Sequence, residues 1–120
     1  ESVLGIGDQG IGGIDIPIAK LVVYSIAAGI NPLRTLPIML DTGTNNQSLL
    51  DDPLYLGWRN KRISGAAYDE FVKIFVDEVK RQFPNVYLHW EDIGRENALK
   101  NLNTYRDQIC SFNDDIQGTG

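Results

Sequence analysis

The sequence has very few of the side chains that bind soft metals. Of its 120 residues, one is a cysteine, Cys110, and one is a histidine, His89. A lone cysteine has no partner for an internal disulfide, and this pair is too few for a cysteine and histidine zinc site. We therefore expect Cys110 to be a small buried apolar residue and His89 to have a structural role within a strand.

Basic residues and long apolar runs are also scarce. Lys and Arg total 11 against 16 Asp and Glu, and the formal net charge is -5. The one basic cluster, RNKR at residues 59–62, is too small for a sequence-independent grip on nucleic acid. No apolar run approaches about 18 residues and no signal peptide opens the chain, so we expect a cytoplasmic protein that contacts no membrane.

Strand and helix patterns alternate along the chain. Because such alternation produces crossover connections between parallel strands, we predict an α/β fold: a mostly parallel sheet with helices on both faces. The chain opens almost inside a strand and stops in a loop, so we expect it to be a piece of a longer protein. The predicted strands span residues 3–6, 35–40, 86–90 and 109–112; the predicted helices span 15–28, 64–83 and 96–105, with a polar loop and a helical turn or two over 41–64.

Carboxylates follow every predicted strand. Because the carboxyl ends of parallel strands share one edge of a sheet, we expect these acids to lie on one rim. Gathered carboxylates repel one another, and a set of oxygen donors favours Mg²⁺ or Mn²⁺ over zinc. The alternative is that they are helix caps and solvated turn residues. The acids concerned are Asp8, Asp41, Glu91, Asp92, Asp114 and Asp115.

The first predicted strand and helix carry two further features. Lys20 interrupts the apolar run IPIAKLVVY; it is either a lysine that extends its amine to water or, held close to a metal, a general base. Gly5, Gly7 and Gly10 match the dinucleotide-binding pattern G-x-G-x-x-G. The acid that this pattern expects about 20 residues later is absent, and the glycines would equally let a substrate or a neighbouring backbone approach closely.

Five blocks of the sequence, in order along the whole chain, resemble the malic enzymes, which oxidise and decarboxylate malate. The resemblance implies that residues 1–120 are an incomplete N-terminal catalytic and metal-binding domain, without the NAD-binding Rossmann domain and inactive alone. It also implies that the full-length enzyme is a homo-oligomer with L-malate as substrate. The blocks are LGIGDQGIGG with IPIAKL, LPIMLDTGTNN, DPLYLGWRNKR, FPNVYLHWED and FNDDIQGTG.

The same resemblance implies a role for each candidate residue. Lys20 is the general base that takes the proton from the C2 hydroxyl of malate, and Asp114 is the partner of this lysine. NAD is the implied cofactor, with NADP as the alternative, and the glycine motif shapes the substrate side of the site near the nicotinamide. The implied ligands of Mg²⁺ or Mn²⁺ are Glu91, Asp92 and Asp115.

One departure from the family pattern leaves the reaction open. Ser2 stands where malic enzymes usually carry an arginine that binds the substrate carboxylate. Malolactic enzymes, which convert malate to lactate and CO₂ with bound NAD, also lack this arginine and have blocks similar to GIDI and YLHWEDIGR. Because GDQGIGG, IPIAK and CSFNDDIQGTG are closer to bacterial NAD-linked malic enzymes, we favour oxidative decarboxylation of malate to pyruvate. The alternatives are the malolactic reaction and a non-catalytic nucleotide-binding module.

Overall fold

The structure, a computed structural model, describes residues 2–3 and 6–118. The chain divides into two compact units, Glu1–Asn60 and Lys61–Gly120. The elements of the first unit are β1 (Ser2–Val3), β2 (Gly7–Asp8), a 3-10 turn (Gly10–Ile14), α1 (Asp15–Ala28), a second 3-10 turn (Pro32–Arg34) and α2 (Gln47–Asp51). Those of the second unit are α3 (Gly65–Gln82), β3 (Leu88–Trp90), α4 (Arg95–Tyr105), β4 (Ser111–Asn113) and a π-helical turn (Asp114–Gly118).

The chain reverses direction near its beginning instead of forming one parallel strand. β1 pairs with β2 in an antiparallel ladder, with Val3 opposite Gly7. Ile6 lies in the turn and is 63% exposed, so the buried strand predicted over residues 3–6 is wrong here. Gly7 has a φ of 78°, a left-handed conformation that costs glycine little and allows the reversal.

Helix α1 begins and ends where the sequence predicts. Asp15 lies in its first turn, close to Pro17, whose fixed φ suits that position, and Gly29 caps the end with a φ of 69°. No residue of α1 is buried. The 19-residue segment Gly10–Ala28 is long and apolar enough to cross a membrane, by length and composition alone. This corrects the expectation that no apolar stretch has that length, although core helices of soluble proteins also reach it.

One strand predicted in the first unit is absent, and polar contacts hold the loop that follows it. The strand predicted over residues 35–40 is not formed, because Pro37 has no N–H to donate to a sheet. The loop that follows is held by the carboxylate of Asp8. Its Oδ1 accepts a hydrogen bond from Thr44 Oγ1 at 2.9 Å, and its Oδ2 accepts one from the backbone N–H of Asn45 at 2.8 Å.

The predicted helical turn in the following polar segment is confirmed as α2. Its N-terminus is capped by the side chain of Asn46, which accepts a hydrogen bond from the backbone N–H of Ser48 at 3.1 Å. Such a cap satisfies one of the N–H groups that a helix start leaves without a partner. The side chain of Asn46 thus stabilises the start of this short helix.

The second unit contains the buried apolar side chains of the described residues. Helix α3 has 18 residues, which confirms the predicted helix of about five turns. The predicted apolar stripe faces inward, while Phe83 at its end is 49% exposed. Trp90 of β3 lies against rings of both helices, with centroids 6.3 Å from Phe75 and 6.3 Å from Tyr105. The core residues are Tyr68, Val72, Val76, Val79, Trp90, Ala98, Leu102, Tyr105 and Ile109.

The two strands of the second unit are parallel, as predicted, and α4 connects them. His89 lies opposite Phe112 in the register, and Trp90 lies opposite Asn113. Both helices contact Trp90, so in the described part of this unit they cover one face of the sheet and not both. β4 begins two residues later than predicted, and Cys110 before it is exposed rather than buried.

A buried hydrogen bond joins the two helices of this core. The side-chain N–H of Asn101 donates to the hydroxyl of Tyr68 at 2.9 Å, and both residues are buried. Burial also raises the pKa of Tyr68 above its ordinary value of 10.0, so the folded state favours the neutral hydroxyl.

We expect the substitution Tyr68→Phe to lower the free energy of unfolding by about 1–2 kcal/mol, because the buried Asn101 amide loses its acceptor. Urea unfolding of the chain at pH 7 measures this. Tyr87→Phe, at a site 55% exposed, is the matched control and should change stability by less than about 0.5 kcal/mol. Above pH 10 the unfolded Tyr68 ionises first, so wild type should lose stability that the Phe variant does not. Equal effects of the two substitutions at pH 7 would contradict the account.

Candidate metal centre

The parallel pairing of β3 with β4 brings their carboxyl ends to one edge. Glu91 and Asp92 follow β3, and Asp114 and Asp115 follow β4. The prediction that acids after parallel strands share an edge therefore holds for these four residues. The parallel sheet of the described residues has two strands, both in the second unit, so the same argument does not extend to the acids of the first unit.

Three carboxylates at this edge point toward one place. One carboxylate oxygen of each of Glu91, Asp92 and Asp115 lies within 4.8 Å of those of the other two. Around an ion bound at about 2.1 Å, neighbouring oxygens are about 3 Å apart and opposite ones about 4.2 Å apart, so these carboxylates would have to draw together to coordinate one ion. The donor set is entirely carboxylate oxygen, which fits Mg²⁺ or Mn²⁺.

The backbone at Asp92 explains how neighbouring residues reach the same point. In an extended strand, Glu91 and Asp92 would point to opposite faces. Asp92 instead has a φ of 45°, the one positive value among the non-glycine residues that the structure describes. Aspartate accepts this conformation better than most residues, but it still costs on the order of 1–3 kcal/mol. The turn at Asp92, which is 5% exposed, is thus a strained feature of the kind that accompanies functional sites.

A hydrogen bond fixes the two halves of the cluster to each other. The backbone N–H of Asp92 donates to Oδ2 of Asp115 at 3.3 Å. Asn113, the residue opposite Trp90 in the register, is fully buried, and its side-chain oxygen accepts from the backbone N–H of Ile116 at 3.2 Å. The segment that carries Asp115 is therefore held by two hydrogen bonds, one to the carboxylate of Asp115 and one from the backbone N–H of Ile116.

The structure places His89 beside these carboxylates, whereas from the sequence we expected it to have a structural role within a strand. Its Nε2 lies 3.3 Å from Oδ1 of Asp114 and 3.7 Å from Oε2 of Glu91. His89 and Glu91 are two residues apart, so strand alternation directs both side chains to one side of β3. The spacing H-x-E in LHWED is the sequence signal that could have indicated this contact.

Lys20 and Asp114 were predicted to work as a pair. Lys20 lies on α1 in the first unit and is half-buried. Asp114 lies in the second unit, where its carboxylate faces His89. Lys20 and Asp114 belong to different units, and their pairing stays a prediction.

The glycine motif has a local explanation at one of its positions. Gly5 lies outside the described residues. A methyl group at Gly10, which has a φ of 53°, would lie 2.2 Å from the hydroxyl oxygen of Tyr55. That hydroxyl also accepts a hydrogen bond from the backbone N–H of Ile11 at 3.0 Å. The missing side chain at Gly10 therefore makes room for Tyr55, and a role of the motif toward a nucleotide stays a prediction.

The acids of the first unit hold loops in place. Asp41 accepts a hydrogen bond at Oδ1 from the backbone N–H of Gly43 at 3.1 Å, and at Oδ2 from that of Trp58 at 2.7 Å. Asp8 accepts from the loop residues described above and from the backbone N–H of Gly10 at 2.9 Å. For these two acids the structure supports the alternative reading, that of turn residues.

We expect Gly10→Ala to destabilise the chain by about 1–3 kcal/mol or more, because the added methyl group overlaps Tyr55 and the φ is unfavourable for alanine. Gly12→Ala is the control: Gly12 belongs to the same 3-10 turn, and nothing lies within 4 Å of the added carbon. Urea unfolding of both variants measures the difference. An equal loss of stability in both would show that Tyr55 does not determine the glycine.

Comparison with known proteins identifies the family. A family model described as malic enzyme, N-terminal domain, matches residues 1–106. The chain belongs to the malic enzyme family. It is 62% identical over 119 residues to the NAD-dependent malic enzyme of Psychrobacter arcticus, and 56% identical over 119 residues to those of Pseudomonas savastanoi pv. phaseolicola and Pseudomonas aeruginosa.

These alignments define how much of a malic enzyme the chain represents. Each covers 99% of this chain and 21% of the relative. The chain thus spans about a fifth of the length of the curated relatives it matches. The resemblance inferred from the five sequence blocks is confirmed at the level of the family.

Proposed function

We propose that the chain is part of the catalytic domain of an NAD-dependent malic enzyme, which oxidises L-malate and releases CO₂ to give pyruvate. The observation that carries this proposal is the convergence of Glu91, Asp92 and Asp115 at the end of a parallel strand pair, in a chain of this family. The same three residues are the metal ligands that the sequence resemblance implied. The names of the relatives support NAD over NADP as the cofactor.

The proposed metal is Mg²⁺ or Mn²⁺, held by Glu91, Asp92 and Asp115. Without a cation these carboxylates repel one another, and binding one relieves that repulsion. If bound there, such an ion would polarise the oxygen on C2 of the substrate and stabilise the negative charge that develops as the carboxylate attached to C3 leaves as CO₂. The half-buried and buried positions of Glu91 and Asp92 limit the screening of that interaction by water.

The proposed base is Lys20, which takes the proton of the C2 hydroxyl at its Nζ. A lysine acts as a base only in its neutral form, so the site must favour the neutral amine. Asp114 is proposed to orient that amine, as the resemblance implies. The hydride acceptor is supplied by NAD when it is bound.

We further propose that residues 1–120 are an incomplete N-terminal domain and that the NAD-binding Rossmann domain lies elsewhere in the full-length protein. The fraction of each relative that the chain covers supports this. So does α1: a helix that is apolar around its circumference is typically buried, yet no residue of α1 is buried here. The full-length protein is proposed to be a cytoplasmic homo-oligomer that binds malate, without nucleic acid or membrane partners.

The experiment that tests the reaction uses the full-length protein that carries this chain, with L-malate, NAD and Mn²⁺. We expect NADH and pyruvate in equal amounts. Lys20→Ala should lower kcat by about 10²–10⁴-fold, the usual contribution of a general base. Lys73→Ala is the control, because Lys73 lies on α3 with its side chain 68% exposed.

Two outcomes would contradict the proposal in different ways. Lactate and CO₂ without net NADH would establish the malolactic reaction, the alternative that Ser2 supports. No turnover, with nucleotide binding retained, would favour the non-catalytic module. An unchanged kcat in Lys20→Ala would remove that residue from the proposed chemistry and leave the reaction itself in place.

A further inference from the structure

The imidazole of His89 lies between two carboxylates that follow different strands. Its Nε2 is 3.3 Å from Oδ1 of Asp114 and 3.7 Å from Oε2 of Glu91. The three side chains are 18%, 24% and 9% exposed, respectively, so water screens these contacts only in part. The proposed reaction gives His89 no role.

The position of the imidazole ring is set by the sheet. His89 and Phe112 are opposite each other in the parallel register, and their rings contact at a centroid distance of 5.6 Å in an edge-to-face arrangement. Such a cross-strand pair restricts the ring on the face to which Glu91 also points. The imidazole thus has a fixed direction, toward the two carboxylates.

The chemistry of the contact identifies which nitrogen carries a hydrogen. An ionised carboxylate only accepts hydrogen bonds, so a nitrogen that faces two of them is favourable only when it carries a hydrogen. This holds for the neutral and for the charged imidazole. A nitrogen with a hydrogen has no lone pair for a metal ion, so in this arrangement, with no cation between His89 and the two carboxylates, Nε2 is a donor and not a metal ligand.

We infer that His89 is a positioning residue of the metal centre: its imidazole, held close to both carboxylates by electrostatic contact and not by a formed hydrogen bond at Nε2, orients Glu91 and Asp114 and reduces the repulsion between them. This rests on the proposed function, in which Glu91 is a metal ligand and Asp114 the partner of the base. Glu91 connects the two groups, since it lies within 4.8 Å of His89 and Asp114 and also of Asp92 and Asp115. A carboxylate has two oxygens, and His89 directs one of them so that the other is available to the ion. Partners of this kind set ligand orientation in metal sites.

The test measures the Kd of Mn²⁺ from the electron paramagnetic resonance signal of the free ion, in the full-length protein. We expect His89→Ala to raise the Kd by about 10-fold to 100-fold, the usual effect of removing a group that orients a ligand. His89→Gln, whose amide supplies an N–H in a similar place, should stay within about threefold of wild type. Urea unfolding in the presence of a chelator checks that both variants fold.

A second variant keeps the test decisive if the alanine variant does not fold. Phe112→Leu retains the imidazole but removes the ring that holds it, so it should raise the Kd by a smaller factor than His89→Ala. An unchanged Kd in this variant would contradict the inference. So would an unchanged Kd in a folded His89→Ala.

Two further outcomes would reject the inference, each for a different reason. If His89→Gln binds Mn²⁺ as weakly as His89→Ala, and Zn²⁺ binding falls further than Mn²⁺ binding, His89 is itself a ligand and the inference is wrong. If the wild-type protein binds no Mn²⁺, the proposed metal centre fails together with the inference. That result differs from one in which the wild type binds Mn²⁺ and the His89 variants match it.

Discussion

Repulsion among carboxylates at the end of two parallel strands is the constraint on which the site depends. The pairing of β3 with β4 places Glu91 and Asp92 beside Asp115. Bringing like charges together costs free energy unless a cation or a donor group compensates them. The proposed metal ion supplies this compensation on one side of Glu91, and the imidazole of His89 supplies it on the other. The core formed by α3, α4 and Trp90 holds the strand pair against that repulsion.

The second unit contains a strained turn at the site and a stabilising hydrogen bond in its core. The left-handed turn at Asp92 destabilises the fold locally, whereas Tyr68 and Asn101 stabilise the packing of the helices away from the site. The first unit is organised differently. Hydrogen bonds to Asp8 and Asp41 fix its loops, and its apolar helix α1 remains exposed. The segment that contains α1 could cross a membrane by length and composition alone; we propose instead that α1 is buried in the full-length protein.

Features set by local contacts could be predicted from the sequence. Pro17 and Gly29 define the two ends of α1, and the apolar stripe defines α3, because each depends on residues within a few turns. The acids after β3 and β4 were also predicted to meet, since a parallel pairing was expected for those strands. The resemblance then selected Glu91, Asp92 and Asp115 from the six candidate acids.

Features set by pairing between distant segments could not be predicted. The reversal at Gly7 and the loss of the strand around Pro37 depend on which backbone groups find a partner, and a short apolar run does not contain that information. His89 was assigned to structure because a lone histidine in a strand is more often part of the core or of a sheet edge than of a site. Its contacts depend on the register with Phe112, which only the folded sheet establishes. Cys110 was expected to be buried from residue type alone, and it is exposed.

The central claim is that three carboxylates of this chain bind one divalent ion. Anomalous diffraction from crystals of the full-length protein grown with Mn²⁺ tests it most directly. We predict an anomalous peak within about 2.5 Å of a carboxylate oxygen of each of Glu91, Asp92 and Asp115. A Mn²⁺ peak elsewhere in the protein, with none between these three side chains, would contradict it.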